Sequence, residues 1–189
     1  MQLLWCDDAS RPPGEVRDGL VALVQAVAAT GGAVGWLSVP PVAEVQAWLD
    51  GLLGSGSRLA VAVAPEGAVL GCGAWRAHDH AVTGGMAVVS KVMTHPDARG
   101  RGAGRLLVQA LVDDARTAGV ELLTLDCRGN NHGALRLYAE LGFVVTGRRP
   151  DALRVGQERF DQVLMHLDLR SGPEGLLRHG GRREGLGAT

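Results

Sequence analysis

Between Arg99 and Gly104 the chain reads R-G-R-G-A-G, after an apolar run and ahead of an amphipathic one. Glycines this dense let the backbone turn tightly, so that successive N–H groups converge on one point. A helix starting there adds its unpaired N–H donors and the positive end of its dipole. Such a turn suits an anion, most naturally a diphosphate. Spacing excludes two common versions of it. A nucleotide P-loop needs a lysine after its last glycine, and the chain's one lysine, Lys91, lies upstream. A dinucleotide G-x-G-x-x-G counted from Gly100 needs glycine where Arg105 stands.

A second segment follows 27 residues after Gly104, a gap with room for one helix and one strand. From Asn131 it reads N-H-G-A-L-R-L-Y-A-E-L-G-F, ending at Phe143. Together the two segments resemble the R/Q-x-x-G-x-G/A and N-x-x-A-x-x-L-Y-x-x-x-G-F signatures of the GNAT superfamily of N-acetyltransferases. The resemblance covers residues 88–143. It implies acetyl-coenzyme A as cofactor, its diphosphate cradled by Arg99, Gly100, Arg101, Gly102, Ala103, Gly104 and Arg105. Val92, Met93 and Thr94 would offer backbone groups to pantetheine and the thioester carbonyl, one N–H stabilising the oxygen as it gains negative charge. Asn131 and Ala134 would join the cofactor site. Asn131 equally suits the cap of the helix after it, because Asn is a preferred N-cap.

The resemblance also implies that Tyr138, the only tyrosine, acts as general acid toward the departing CoA sulfur. A phenol of pKa near 10 gives up its proton to a thiolate of pKa near 8.5 only at a cost of about 2 kcal/mol. Hydrogen bonding, with protonation late or shared with water, is the expected role. The base poses a larger problem, since an amine of pKa near 10 is neutral in about one molecule in 10³ at pH 7. Asp126 is the best candidate, sharing a strand face with Leu122 and Thr124; a helix cap or a salt bridge with Arg128 or Arg136 is the competing reading. Where many family members carry a glutamate on the preceding strand, this chain reads V-S-K-V-M. Ser90 stands near that place and would at most position a water.

On the acceptor side, Trp36 would line a pocket or sit in the core. His78 and His80 precede the same strand with a pKa suited to proton uptake, or are simply solvated. His166, alternating with apolar neighbours, reads as structural. The phrase L-T-L-D-C and the late segment around R-F-D-Q-V-L-M-H-L-D-L look similar to enzymes related to tabtoxin-resistance acetyltransferases. These features imply direct acetyl transfer to the primary amine of a small, amino-acid-like or antibiotic-like molecule. A protein or peptide amine is the alternative acceptor, and a non-catalytic acyl-CoA sensor the alternative class.

These residues need a scaffold, and a chain of 189 residues with 46% hydrophobic content can bury the core of one domain. A net charge of −1 argues against a nucleic-acid binder driven by phosphate neutralisation. No apolar run reaches membrane length, and the N-terminus lacks the form of a signal peptide, so a cytoplasmic protein is expected, as monomer or homodimer. Cys6, Cys72 and Cys127 are too scattered for a zinc site or a disulfide framework, and no metal is expected. Composition rich in Arg, Ala and Gly suggests a bacterial, high-GC source.

Hydrophobic periodicity predicts strands at Gln2–Cys6, Leu59–Ala64, Ala68–Arg76, Met86–Thr94, Glu121–Cys127, Phe143–Arg149 and Gln162–Leu169. Helices are expected at Glu15–Ala29, after Pro40 and Pro41 with Val42, Val45, Trp48, Leu49 and Leu52 inward, at Arg105–Ala118 and at Gly133–Leu141. The helical crossover between residues 86 and 127 requires a parallel strand pair. The resemblance adds that this pair splays apart around the cofactor, within a mixed, mostly antiparallel α/β sheet of six to seven strands with about four helices. Residues 1–170 read as one such domain; residues 171–189, six of them glycine, read as a disordered tail.

Overall fold

A computed structural model describes residues 1–31 and 35–170; the expected tail at 171–189 lies outside the described residues. The elements, in chain order, are β1 (Gln2–Cys6), α1 (Gly14–Ala29), α2 (Val42–Gly54), β2 (Arg58–Val63), β3 (Val69–Ala77) and β4 (Met86–Thr94). They continue with α3 (Ala103–Thr117), β5 (Leu122–Arg128), α4 (His132–Glu140), β6 (Val144–Val155) and β7 (Glu158–Asp168). The seven strands form one sheet in the order β1-β2-β3-β4-β5-β7-β6. Every neighbouring pair is antiparallel except β4 and β5, as the helical crossover requires.

Each face of the sheet has its own core. Leu107, Val108, Leu111 and Ala115 of α3, all fully buried, pack on Ala87, Val89, Leu123 and Leu125. On the other face Leu23 and Val24 of α1 and Val45, Leu49 and Leu53 of α2 cover Leu59, Val61, Cys72 and Met93. Each such aliphatic side chain contributes about 1.5–3 kcal/mol by leaving water. The inward face of α2 differs from expectation at its ends. Val42 in the first turn is 50% exposed, while Leu53 is buried, because helical spacing from Val45 and Leu49 reaches Leu53 four residues on.

Two strands run further than periodicity predicts. Expected to end at Arg149, β6 continues through Pro150 and Asp151 to Val155. The chain absorbs them as an irregularity: Asp151 adopts φ +52 and the register with β7 shifts between Arg149 and Leu153.

Sheet geometry prepares the site in β4. β4 and β5 pair only over Met86–Val88 against Leu122–Thr124. Beyond Thr124 β5 keeps its partner β7 as far as Arg128 and Gln162, and a wedge opens between β4 and β5. On its other side β4 bulges: Met93 faces Cys72 and Ser90 faces Ala74, so Lys91 and Val92 stand opposite Gly73 alone. Lys91 takes the left-handed φ of +58 at this point, a conformation rare for a residue with a side chain. Gly71 is needed beside the bulge, because a Cβ there would meet the Met93 carbonyl oxygen at 2.5 Å.

Candidate active site

A cleft of about 660 Å³ runs from the end of β4 over the glycine turn to the start of α4. Val92, Met93 and Thr94 form one wall, Asn131, Ala134, Leu137 and Tyr138 the other. Its floor is the turn itself, with Arg99, Gly100, Gly102, Ala103, Gly104 and Arg105 all lining it. Gly100 and Gly102 have φ of +74 and +85, and a Cβ on either would meet nothing within 4 Å. The turn thus curls with its backbone open to the cleft. No side chain caps α3, and Leu106 makes its first backbone bond, to Gly102 at 3.0 Å. The N–H groups of Ala103, Gly104 and Arg105 are left for an anion or solvent. Open glycine backbone, an uncapped helix start and arginines nearby fit the diphosphate of acetyl-CoA.

The arginines play different parts. Arg99 donates to Thr30 Oγ1 at 3.3 Å, tying the turn to the end of α1. Arg105 pairs with Glu140 of α4. Arg101 is exposed and stands outside the cleft lining. Asn131 caps α4, its Oδ1 accepting from the Ala134 N–H at 3.3 Å, while also lining the cleft. Both readings of that residue are thus compatible.

Tyr138 stands where this cleft meets a second one of about 220 Å³, which fills the wedge between Val88–Val92 and Leu125–Arg128. Its ring is buried and lies edge-on to Phe143 at 5.8 Å. Burial pushes the Tyr138 hydroxyl well above the ordinary phenol range, and the neighbouring Cys127 and Asp126 add to the shift. At neutral pH it is a proton-bearing donor. Cys127 next to it is raised to about 11 by burial first and by Asp126 second, so it is a thiol rather than a nucleophilic thiolate.

Asp126 faces the wedge from β5 and is exposed. Neither a helix cap nor an ion pair with Arg128 or Arg136 holds it. Gln162 of β7 donates to its Oδ2 at 2.7 Å, a partner hidden in sequence because it comes from a neighbouring strand. Ser90 lines the wedge opposite. A third cleft of about 280 Å³ continues from Asp126, Cys127 and Arg128 to Trp36, Leu37, Leu153 and Val155. Trp36 is set by an Nε1–H bond to Glu44 at 2.6 Å and an edge-on contact with Trp48 at 5.3 Å.

His78 and His80 are not brought to the site. Both are exposed, His78 N–H bonds the carbonyl of Met86 at the paired end of β4, and His80 Nδ1 accepts from Val82 N–H. Among the charged cleft residues, sequence reasoning missed Lys91, Arg128 and Arg154. A signal for Lys91 was present: strict alternation from Ala87 and Val89 would bury a lysine against α3, which only a bulge avoids. Among the described residues no cluster suited to a metal ion occurs.

The model of the acetyltransferase (GNAT) family matches residues 25–143. An L-methionine sulfoximine/L-methionine sulfone acetyltransferase of Pseudomonas paraeruginosa is 32% identical over 145 residues, 73% of this chain and 83% of its own length. An L-amino acid N-acyltransferase of Escherichia coli is 33% identical over 109 residues, 55% of this chain; the match spans only 60% of that protein. A ribosomal protein bS18-alanine N-acetyltransferase of Salmonella typhimurium is 34% identical over 83 residues, 44% of this chain and 56% of that one. In structure, a phosphinothricin acetyltransferase from Sinorhizobium meliloti in complex with acetyl-CoA superposes with a TM-score of 0.71 at 20% identity, covering 89% of each chain. A turn built for a diphosphate, beside a parallel pair that splays, has its explanation in this kinship: the chain belongs to the GNAT family and is an acetyl-CoA-dependent N-acetyltransferase.

Proposed function

We propose that the acceptor is the primary amine of a small, amino-acid-like molecule, which attacks the acetyl group directly. One observation carries the choice of a small acceptor. The cleft leading away from Asp126 has a volume of about 280 Å³ and is walled by Trp36, Leu37, Leu153 and Val155, a size at the small-molecule end of binding pockets. Acetyl-CoA, when bound, supplies the activated acetyl group. The turn from Arg99 to Arg105 and the start of α3 hold its diphosphate. Val92, Met93 and Thr94 line its arm, one of their N–H groups being offered to the carbonyl oxygen. Asn131 and Ala134 complete that wall.

Tyr138 keeps its proton and donates a hydrogen bond to the sulfur as charge builds there. Asp126, oriented by Gln162, takes the amine proton directly or through a water that Ser90 helps to place. Trp36 forms the wall against the acceptor side chain. The scattered free cysteines and the bacterial source of the relatives support a bacterial cytoplasm as its place of work, and no helix among the described residues is long and apolar enough to cross a membrane.

The test is release of CoA thiol from acetyl-CoA across amino acids, their analogues, aminoglycosides, polyamines and short peptides. Release with free amino acids or close analogues is expected. Release with peptides alone would replace this reading by protein N-acetylation.

A further inference from the structure

The charges of the two acceptor-side clefts are unbalanced. Their lining carries one carboxylate, Asp126, against Lys91, Arg128 and Arg154. Among the described residues none of these four makes an ion pair. Arg154 turns its Nε to the Gly156 carbonyl at 3.0 Å, at the tip of the β6–β7 hairpin. Lys91 and Arg128 are held within the wedge.

Lys91 owes its position to the bulge. Its φ of +58 carries the side chain off the α3 face and onto the face covered by α1 and α2. There Nζ lies 5.7 Å from the centre of the Trp48 ring and close to Gly35, where even a methyl group would come within 3.9 Å. An indole face steadies a cation without neutralising it. Arg128, at the end of β5, stacks over Phe160 at 4.8 Å and donates from Nη2 to the Gly31 carbonyl at 3.3 Å. Its Nε is the one buried side-chain nitrogen or oxygen without a hydrogen-bond partner among the described residues. An orphaned donor of this kind is costly and calls for a role. Two cations fixed by aromatic rings, with no anion of their own, thus stand on the two walls of the wedge that holds Asp126.

We propose that Lys91 and Arg128 bind the carboxylate of the acceptor, so that the substrate is an α-amino acid with a free carboxyl group. This rests on the small-acceptor reading above. In an α-amino acid the amine and the carboxylate are separated by a single carbon. A site with one carboxylate for the amine and two cations for the acid matches that dipole end to end. An amide or a peptide presents a neutral carbonyl instead and leaves both cations unpaired, which a desolvated site penalises heavily. Lys91 and Arg128 are then specificity residues, while Asp126 and Tyr138 act on the reacting atoms.

The experiment measures kcat/KM for matched pairs, each free L-amino acid beside its own carboxamide, with the full chain at saturating acetyl-CoA. The wild type is expected to favour the acid by about 10²-fold, the discrimination a fully formed charged contact provides. In Lys91→Gln this ratio should fall toward one, and in Lys91→Arg it should be largely kept. Because the ratio compares two substrates on one variant, a general loss of fold or cofactor binding does not move it. Equal use of acids and amides by the wild type, or an unchanged ratio in Lys91→Gln, overturns the proposal while leaving amine acetylation standing. Release of CoA with peptides only overturns both the proposal and the small-acceptor reading.

Discussion

Replacing Tyr138 by Phe isolates the hydroxyl, because the ring that packs edge-on against Phe143 at 5.8 Å is retained. Burial raises the hydroxyl above its ordinary pKa of 10, so complete transfer to a thiolate of pKa near 8.5 is uphill by more than about 2 kcal/mol. In the proposed mechanism the hydroxyl would contribute as a hydrogen-bond donor to a developing charge, an interaction worth about 1.5–3 kcal/mol. That range corresponds to a fall in kcat of roughly 10- to 150-fold. The KM for acetyl-CoA should change little, since the bond strengthens only as the sulfur gains charge. The sign for pH follows from the same shift: the proton stays on Tyr138 at every pH below its ordinary pKa. No alkaline fall in wild-type kcat due to this residue is then expected below about pH 10. CoA thiol release, followed from pH 6.5 to 9.5 for both proteins, measures each quantity. A loss under threefold, or a wild-type alkaline limb near pH 8 that vanishes in the variant, would refute the donor role.

Asp126→Asn should lose at least tenfold in rate at pH 7. The deficit should shrink by pH 9, where about one amine in ten of pKa near 10 is already neutral and needs no base; a pH-independent deficit would count against proton removal. Gly71→Ala places a methyl 2.5 Å from the Met93 carbonyl oxygen, an overpacking that costs about 1–3 kcal/mol. Thermal melting should register it as a drop of roughly 2–12 °C, with acetyl-CoA affinity lowered in parallel in calorimetry. Asp114→Ala strips the buried Trp75 Nε1–H of its partner at 2.8 Å and Arg58 of its two bonds at 2.7 and 2.8 Å. About 1–3 kcal/mol of stability should be lost to denaturant, while kcat stays within threefold because none of the three lines the clefts of the candidate site.

Much of this molecule is legible in its sequence because its signals are local. The apolar periods of α1 and α3 locate two helices, and the strand–helix–strand order forces β4 and β5 to run parallel. R-G-R-G-A-G marks the turn because positive φ needs glycine, and the structure places Gly100 and Gly102 at such angles. What stayed hidden depends on contacts between distant segments. Gln162 reaches Asp126 across 36 positions of chain, and Arg128 is held by Gly31 and Phe160 from opposite ends of it. The full length of β6 stayed hidden because the shift that carries it past Pro150 and Asp151 is set by its pairing with β7. The histidines near residue 80 suit proton transfer by type, but type gives no direction along β4, and they lie at its paired end.

In the proposed mechanism the bulge in β4 joins cofactor binding to acceptor choice. Without its extra residue, Ala87, Val89 and Lys91 would share one face, and the ammonium would enter the core beneath α3. Burying an unpaired charge there would cost several kcal/mol, more than one left-handed residue at about 1–2 kcal/mol. Accepting the bulge therefore keeps the strand in the sheet and turns Lys91 toward Trp48. It also leaves Lys91 and Val92 without register partners of their own on β3, next to the wedge between β4 and β5. Gly73 yields the space on the β3 side, since a Cβ there would come within 2.9 Å of Leu111 and 3.4 Å of Val92. On the proposed reading, a cation that faces the acceptor and a strand end that faces the cofactor are two results of one irregularity. Straightening this strand would remove both together, and for that reason a lysine with a strained backbone is tolerated in the middle of an otherwise apolar sheet.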